Sequence, residues 1–510
     1  MNRKQRRAAA ATPITPVFVE AFNIGLKLHE AGRLDEAEKF YRKAMAINPS
    51  NGLLHSNLGV LYYAQGRIDD AIVMQKRAIA LDPGLGISHN NLGVALNRLE
   101  RHEEAIEAFR RAIEIEPDNS RALNNLGDSL TKSGRFEESV TFLRKALELD
   151  PVYAEAKSNM GMALWGMGDL EGAIAWLRDS IALQPNLATV HKNLGLVLLL
   201  KRDFAEGWIE YNYRLAADNI PLRGGPAIPI WRGQDLGQGA LFVFSEQGVG
   251  DEILYASLLP DLMARGIRVV WETDERLGNI LQRSFNSIRV VARSTPPTIG
   301  SPAPDVVAQL PAGSLGQVFR PTVNHFPSDR GGYLAADRAR SDSLRAGLGL
   351  APGEKLIGMS WVSKNIAFGR YKSTTLADWA EIMKTPGVRF VDLQYGDTSA
   401  ERAALRAQFG VTLAHVEGLD LRDDLDGMAA LTAACDMVIT VSNTTAHVAG
   451  ALGVPTWVLV PLGGGKLWYW GITGDSTPWY PSISIIRQVN REEWTSTLRI
   501  AGDRLRALSG

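Results

Sequence analysis

Two short stretches hold the residues best placed for chemistry. The first is "SNTTAHVAGALG", residues 442–453, which follows an apolar run at 436–441. A strand feeding directly into a helix leaves free backbone N–H groups at the helix start, and these suit a diphosphate or another nucleotide phosphate. Ser442, Asn443, Thr444 and Thr445 can add donors, and His447 lies one turn in. The same residues also cap helices well, and the histidine is equally compatible with a structural role. The second stretch is "FSEQGVGDEILYAS", residues 244–257, with the same strand–turn–helix outline around Gly248 and Gly250. Here Asp251 and Glu252 stand where an anion would sit, so this corner is not a phosphate cradle. Acids in a first turn gain about 0.3–1 kcal/mol from the macrodipole. Proton transfer is the alternative use of such a carboxylate. The dipole lowers its pKa and burial raises it, and the sequence does not weigh the two.

Both stretches belong to a region where apolar runs alternate with helical patterns. Runs at 241–245, 268–273, 288–292, 305–309, 356–361, 388–393, 411–415, 436–441 and 456–460 predict strands. Helices are predicted near 251–265, 275–285, 376–385, 399–409, 425–434 and 443–452. Such alternation implies parallel sheets covered on both faces. The Pro- and Gly-rich stretch 300–335 splits the series into two halves, 239–335 and 336–490. Two facing halves leave a cleft at the carboxyl ends of their strands, where open α/β sheets bind ligands.

The first part of the chain obeys a different rule. Pro49, Pro83, Pro117, Pro151 and Pro185 are 34 residues apart, and Gly25, Gly59, Gly93, Gly127, Gly161 and Gly195 keep the same step. Ala37, Ala71, Ala105 and Ala173 follow it too, with Ser139 in the series. Small residues let paired helices approach, and the proline ends the second helix of each pair. The period and its residues resemble the tetratricopeptide repeat. Five full repeats from about 18 to 187 and an atypical sixth, departing at "EGWIEYNYRL", predict an α solenoid over 18–215. Asn23, Asn57, Asn91, Asn125, Asn159 and Asn193 share the step. A carboxamide donates and accepts, so a line of them could hold an extended polypeptide by its backbone; each could instead bond a neighbouring helix. The ladder resembles that of the O-GlcNAc transferase repeats.

Composition bounds the rest. A chain of 510 residues requires two or three domains. A net charge of −1 argues against a general nucleic-acid binder. The single cysteine, Cys435, excludes an internal disulfide and a cysteine-based zinc site. Residues 1–17 read as a basic tail, 216–238 as a linker and 491–510 as a C-terminal helix packing back across the first half. The expected location is cytoplasmic, without a membrane span.

The two site stretches, together with "GMSWVSKN" and "STPWYPSISIIRQ", resemble the glycosyltransferase module fused to tetratricopeptide repeats in bacteria. That module is related to the heptosyltransferases of glycosyltransferase family 9, and the resemblance covers 239–490. It implies a GT-B fold with the nucleotide sugar on the second half and the acceptor and base on the first. Asp251 matches the family's catalytic aspartate, Gly248 and Gly250 form the tight turn, and Lys364 matches a lysine that neutralises the leaving phosphate. Lys364 is also readable as a solvated loop charge. Lys372 and Ser373 form a second polar cluster, and Gln394 is placed to meet the base or ribose. Trp468 and Trp470, after glycines 463–465, wall the sugar pocket or pack the loop. Glu252 reads as a cap or support, and Glu246 is an outside candidate for the base. Ser442-Asn443 replaces the family's usual aspartate–threonine/serine start.

The implied function is inverting, metal-independent transfer of a sugar from a nucleotide donor to Ser or Thr of a polypeptide, flagellin being the leading acceptor. The "DLDG" stretch at 424–427 reads as helix capping rather than a metal site. Candidate donors are a CMP-nonulosonic acid, UDP-GlcNAc and ADP-heptose. Transfer to lipopolysaccharide or another glycan, and a non-catalytic repeat scaffold with a degenerate transferase half, are the alternatives.

Overall fold

The computed structural model describes residues 15–328, 331–365, 369–462, 467–491 and 493–509. It forms two compact units that divide after Asn186. The first is an α solenoid of five antiparallel helix pairs. These are α1 Pro16–Glu30 with α2 Leu34–Ile47, α3 Gly52–Ala64 with α4 Ile68–Leu81, and α5 Gly86–Arg98 with α6 His102–Ile115. The series continues with α7 Ser120–Lys132 and α8 Phe136–Leu149, then α9 Ala154–Met167 and α10 Leu170–Leu183. Each periodic proline lies two residues beyond the end of a second helix, as its missing N–H requires. The periodic glycines mark the closest approach within a pair. A β-carbon on Gly93 would sit 2.6 Å from the Phe109 ring, and one on Gly127 would sit 2.5 Å from Leu143. Ala37, Ala105 and Ala173 are fully buried opposite. Ser139 fills the same place by donating its hydroxyl to the Gly127 carbonyl at 2.7 Å.

The second unit begins with the atypical sixth pair, α11 Ala188–Lys201 and α12 Phe204–Tyr211, followed by the short α13 Arg214–Ala217. Its first sheet contains β1 Ala240–Phe244, β2 Arg268–Thr273, β3 Arg289–Ala292 and β4 Val306–Pro311, all parallel in the order β3-β2-β1-β4. The helix after β1 is α14, Val249–Ala256, followed by α15, Leu259–Ala264. α16, Gly278–Ser284, connects β2 to β3, and α17, Leu315–Phe319, follows β4. The second half opens with α18, Arg338–Gly347. Its sheet contains β5 Lys355–Ser360, β6 Val388–Asp392, β7 Met437–Val441, β8 Thr456–Val460 and β9 Ile483–Arg487. They are parallel in the order β6-β5-β7-β8-β9. α19 Gly369–Lys372, α20 Ser399–Phe409, α21 Leu425–Ala434 and α22 Thr444–Leu452 connect these strands, and α23 Thr495–Ser509 closes the chain. The near-continuous burial of β1, β7 and β8 is what parallel strands covered on both faces require.

Five readings of the sequence differ from the structure, the first being the helix predicted near 376–385, which is two 3-10 turns at Leu376–Trp379 and Ile382–Lys384. The strand predicted at 411–415 is reduced to a single bridge between Ala414 and Val391 at the sheet edge. β9 lies in a stretch not predicted as a strand. The stretch predicted as a linker is instead fixed to β4. The buried Gln309 carboxamide accepts from Gly224 N at 2.8 Å and donates to the Gly225 and Ile228 carbonyls, and Trp231 N donates to the Gln309 carbonyl. Helix α23 packs on the second half, not the first. Its Leu498, Ala501 and Leu505 join a core with Ile357, Met359, Trp379 and Ile439, because that apolar stripe meets the open face of the second sheet.

Candidate functional site

In each sheet the strand order reverses once, between β1 and β4 and between β5 and β7. Side chains after such reversals face a crevice, because neighbouring connections leave the sheet in opposite directions. The loops after β1, β5 and β7 line one cavity of about 410 Å³. Gly248, Val249, Gly250 and Asp251 come from the first corner, Ser363, Lys364 and Asn365 from the second, and Ser442, Asn443, Thr444 and His447 from the third. Lys372, Tyr395, Tyr469, Arg276 and Arg422 complete the polar wall, with Leu421, Leu425 and Met428 beside them.

Asp251 lies in the first turn of α14, whose N-cap is Gly248 in extended backbone (φ −78°, ψ 167°). Gly250 allows this corner to touch the other half: a β-carbon there would lie 2.9 Å from His447 Cδ2. Burial, reinforced by the Glu246 charge, pushes the Asp251 carboxyl up to about 7, while a Gly248 backbone hydrogen bond and Lys372 pull it down. The opposition posed by the sequence is therefore settled for burial. Glu252 points away from the cavity: its Oε2 accepts from Thr273 Oγ1 at 2.6 Å and Asp274 N at 2.9 Å, and Arg293 pairs with Oε1 at 2.9 Å.

Lys372 is 3% exposed, lines the cavity, and makes no hydrogen bond or ion pair among the described residues. Burial lowers it to about 8, and Asp251 opposes that shift. Lys364 is exposed at the rim, with its backbone N–H donating to Tyr395 Oη at 3.0 Å and its ammonium 5.7 Å from that ring centre. Of the two lysines, Lys372 is the one a buried anion would meet.

The third corner is more fully bonded than the sequence suggests. Asn443 caps α22 through Thr445 N at 3.0 Å, and its amide donates to Ser360 Oγ at 2.7 Å and the Val362 carbonyl at 3.1 Å. It thereby ties the end of β7 to the end of β5. Ser442 Oγ accepts from the Trp470 indole at 2.7 Å. Thr445 is buried behind the corner, 3.4 Å from the Leu393 carbonyl, and does not line the cavity. Thr444 lines the space, while the next two N–H groups of the turn are engaged, Thr445 N by the Asn443 side chain and Ala446 N by the Asn443 carbonyl. His447 is held between Tyr480 Oη at 2.8 Å and Tyr469 Oη at 3.2 Å. Burial, helped by Lys372, lowers it to about 3, so it is a neutral ring with both nitrogens engaged.

Four further candidates are turned to structural work. Gln394 Oε1 accepts from Ser360 Oγ, Trp361 N and Val362 N at 2.8–3.0 Å, so its carboxamide is consumed in fixing the end of β5. Ser373 Oγ donates to the Gly369 carbonyl at 2.8 Å and accepts from Ser363 N at 3.0 Å. Trp468 packs on Trp208 and Trp479, and Trp470 lies tilted against the His447 ring at 5.5 Å between centroids. Neither tryptophan lines the cavity; Tyr469 between them does. Glycines 463–465 lie outside the described residues.

Sequence reasoning missed Arg276 and Arg422, which the fold joins: Arg276 Nη1 donates to the Arg422 carbonyl at 3.0 Å and links the two halves. Arg276 follows the carboxyl end of β2, a position the crevice rule singles out. It also missed Tyr211 and Arg214, carried by the stretch where the sixth repeat departs from pattern. Tyr211 Oη meets Gln247 Nε2 at 2.5 Å, and Arg214 pairs with Glu246 behind the Asp251 corner.

In the solenoid, Asn57, Asn91, Asn125 and Asn159 are half-buried and Asn23 is exposed. Asn125 Nδ2 donates to Asn90 Oδ1 and Asn159 Nδ2 to Asn124 Oδ1, both at 2.9 Å, bonding each repeat to the one before it. Asn57 donates back to the Leu53 carbonyl at 2.9 Å. Asn193 lies in α11 of the second unit and is half-buried.

Comparison with known proteins agrees with the first unit. Residues 50–118, 84–151 and 118–186 match the tetratricopeptide repeat, and 25–66 match the TPR repeat. The chain carries a tetratricopeptide module, the kind of array that binds a peptide or protein partner. Protein FlbA of Caulobacter vibrioides is 34% identical over 320 residues, covering 59% of this chain and 52% of FlbA. The chain thus spans about half the length of that relative. Among solved structures, YrrB, titled a TPR protein with an unusual peptide-binding site, is 25% identical over 33% of this chain and 88% of its own, with a TM-score of 0.30. PilF of Pseudomonas aeruginosa is 21% identical over 39% of this chain and 90% of its own, at 0.35. At these scores the likeness carries no functional argument. Among the described residues no helix is long and apolar enough to cross a membrane.

Proposed function

We propose that the second unit is a GT-B glycosyltransferase module that moves a sugar from a nucleotide donor to a Ser or Thr hydroxyl of a polypeptide, with inversion. The observation that carries this reading is the meeting in one cavity of Asp251, Lys372 and the first turn of α22. The α22 donors and Lys372 receive the anionic leaving phosphate. Asp251 accepts the acceptor hydroxyl's proton as its oxygen bonds to the anomeric carbon. The bond from that carbon to the phosphate oxygen breaks, and its electron pair leaves with the nucleotide. Lys372 offsets this charge without a metal. Among the described lining residues Lys364, Lys372 and Arg422, with Arg276 already paired to Asp274, stand against the carboxylate of Asp251, which suits a donor with more than one negative charge. CMP-nonulosonic acid, UDP-GlcNAc and ADP-heptose all meet that requirement. The tetratricopeptide unit supplies the polypeptide acceptor, with flagellin the first to test, in the cytoplasm.

The bonding of Ser442, Asn443, Thr445 and His447 within the protein favours one second reading, a scaffold whose transferase half is silent. Thermal melting with UDP, CMP and ADP separates the two, because a ligand of the folded state raises stability by mass action. The transferase reading expects one nucleotide to raise the melting temperature and Lys372→Met to reduce the rise. Absence of any rise with all three supports the scaffold. Intact-mass measurement of flagellin incubated with the matching nucleotide sugar then tests transfer.

A further inference from the structure

The solenoid carries an exposed apolar stripe that the proposed chemistry does not use. First helices of successive pairs touch one another, α3 with α5, α5 with α7 and α7 with α9, while second helices do not come as close. The array therefore curves toward its first helices, and these form its inner side. Val19 of α1, Leu53 of α3 and Ile87 of α5 stand 34 residues apart and are 40%, 45% and 47% exposed. Leu26, Val60 and Val94 lie seven residues further along the same three helices, on the same helix face. Val60 is exposed, and the other two are half-buried. The stripe stops at the fourth repeat, where the exposed Arg121 of α7 and Glu155 of α9 take the places that follow Ile87.

Between the two apolar rows run the ladder asparagines. Asn57, Asn125 and Asn159 already give an amide hydrogen to the protein itself. An extended chain binds through its backbone and needs such groups free, whereas a helix satisfies its own backbone and binds by side chains. Spacing separates the two forms as well. Packed helices lie about 8–10 Å apart, so the aliphatic rungs repeat at about that distance. On a helix, residues i and i+7 share a face and lie about 10.5 Å apart. On a strand, residues sharing a face come at about 6.7 and 13.4 Å, on either side of that step. We propose that the first three repeats bind an amphipathic helix of the partner polypeptide. Its aliphatic residues at i, i+7 and i+14 seat against Val19, Leu53 and Ile87, and an acid at i+21 meets Arg121. This partner is the polypeptide acceptor of the transferase reading, and its binding is measurable without transfer.

The test is fluorescence anisotropy of labelled synthetic peptides against the full chain. One peptide is helix-forming, with leucine at i, i+7 and i+14 and glutamate at i+21. A second has the same residues reordered so that leucines alternate with polar residues, as on a strand. The helical peptide should bind and gain helical circular dichroism, and the reordered one should bind about ten-fold or more weakly. Leu53→Ser and Ile87→Ser should each weaken the helical peptide by about ten-fold, the worth of one buried aliphatic contact. Val73→Ser, on the second helix α4 and 57% exposed, should leave binding unchanged. Arg121→Glu should weaken the glutamate peptide, and lysine at i+21 should restore it. Melting temperatures report that each variant is folded. No binding of the helical peptide, equal binding of the reordered one, or binding unmoved by both Leu53→Ser and Ile87→Ser overturns the proposal. Helical binding that stands while no nucleotide raises the melting temperature removes the transferase reading alone.

Discussion

The corner after β1 and the corner after β7 share one plan, a buried parallel strand turning into a helix, yet they are finished in opposite ways. After β7, side chains spend themselves on the scaffold: Asn443 ties two strand ends, Ser442 holds Trp470, and His447 is clasped by two tyrosines. Of the residues of this corner that line the cavity, Thr444 is the one whose side chain is not spent in such a bond. After β1 the reverse holds. Backbone approach is secured by glycines, and the carboxyl of Asp251 is left in the cavity at a cost in desolvation. A site for a permanently charged phosphate can be built from fixed dipoles, which need no titration. A proton acceptor must be a side chain able to change charge, and its environment must hold its pKa near the working pH.

That contrast is most directly broken by Asp251→Asn. Transfer should fall by about 10²–10⁴-fold, the usual worth of a positioned base, while nucleotide binding measured by calorimetry is preserved. Retention of transfer would make the two corners equivalent scaffolds. Lys372→Met comes next: losing a charge-assisted contact of about 1.5–3 kcal/mol should weaken nucleotide binding roughly ten- to a hundred-fold. Lys364→Met, at the exposed rim, should cost far less, and the reverse order would move the anion site. Gly250→Val should drive the corners apart at His447 and reduce transfer, with the melting temperature reporting whether the fold survives.

The smallest effect concerns stability. Asp251 is raised to about 7 in the folded chain, above its unfolded value, so the folded state binds the extra proton. Stability from this group is present at low pH and is lost as pH rises through the unfolded value toward 7. Asp251→Asn should therefore melt a few degrees higher than the wild type at pH 8 and show little difference at pH 4. An equal gain at both pH values would show that ionisation is not the source.

Much of this architecture was legible in the chain. The 34-residue step alone located helix ends and contact glycines, because proline and glycine act through local backbone geometry. Alternating apolar runs located eight of the nine strands, and missed β9 beyond the Trp-rich loop. Within the site, Asp251 and Thr444 were named from their positions after strand ends and Lys372 from a polar cluster further along the chain, and all three line the cavity. Gln394, Ser373, Thr445, Trp468 and Trp470 belonged to the same short list and proved to be braces. Nothing in residue type separates a carboxamide that meets a ligand from one that meets three groups at its own strand end.

The sequence by itself determined the periodic solenoid, the strand–helix alternation and the two turns where chemistry could reside, since each follows from contacts within a few residues. Only the tertiary structure decided which polar groups stayed free, that a helix of the degraded sixth repeat would anchor Glu246, and that burial would win over the helix dipole at Asp251. Those outcomes depend on how many partners distant segments deliver to one point, and desolvation is a property of the assembled surroundings.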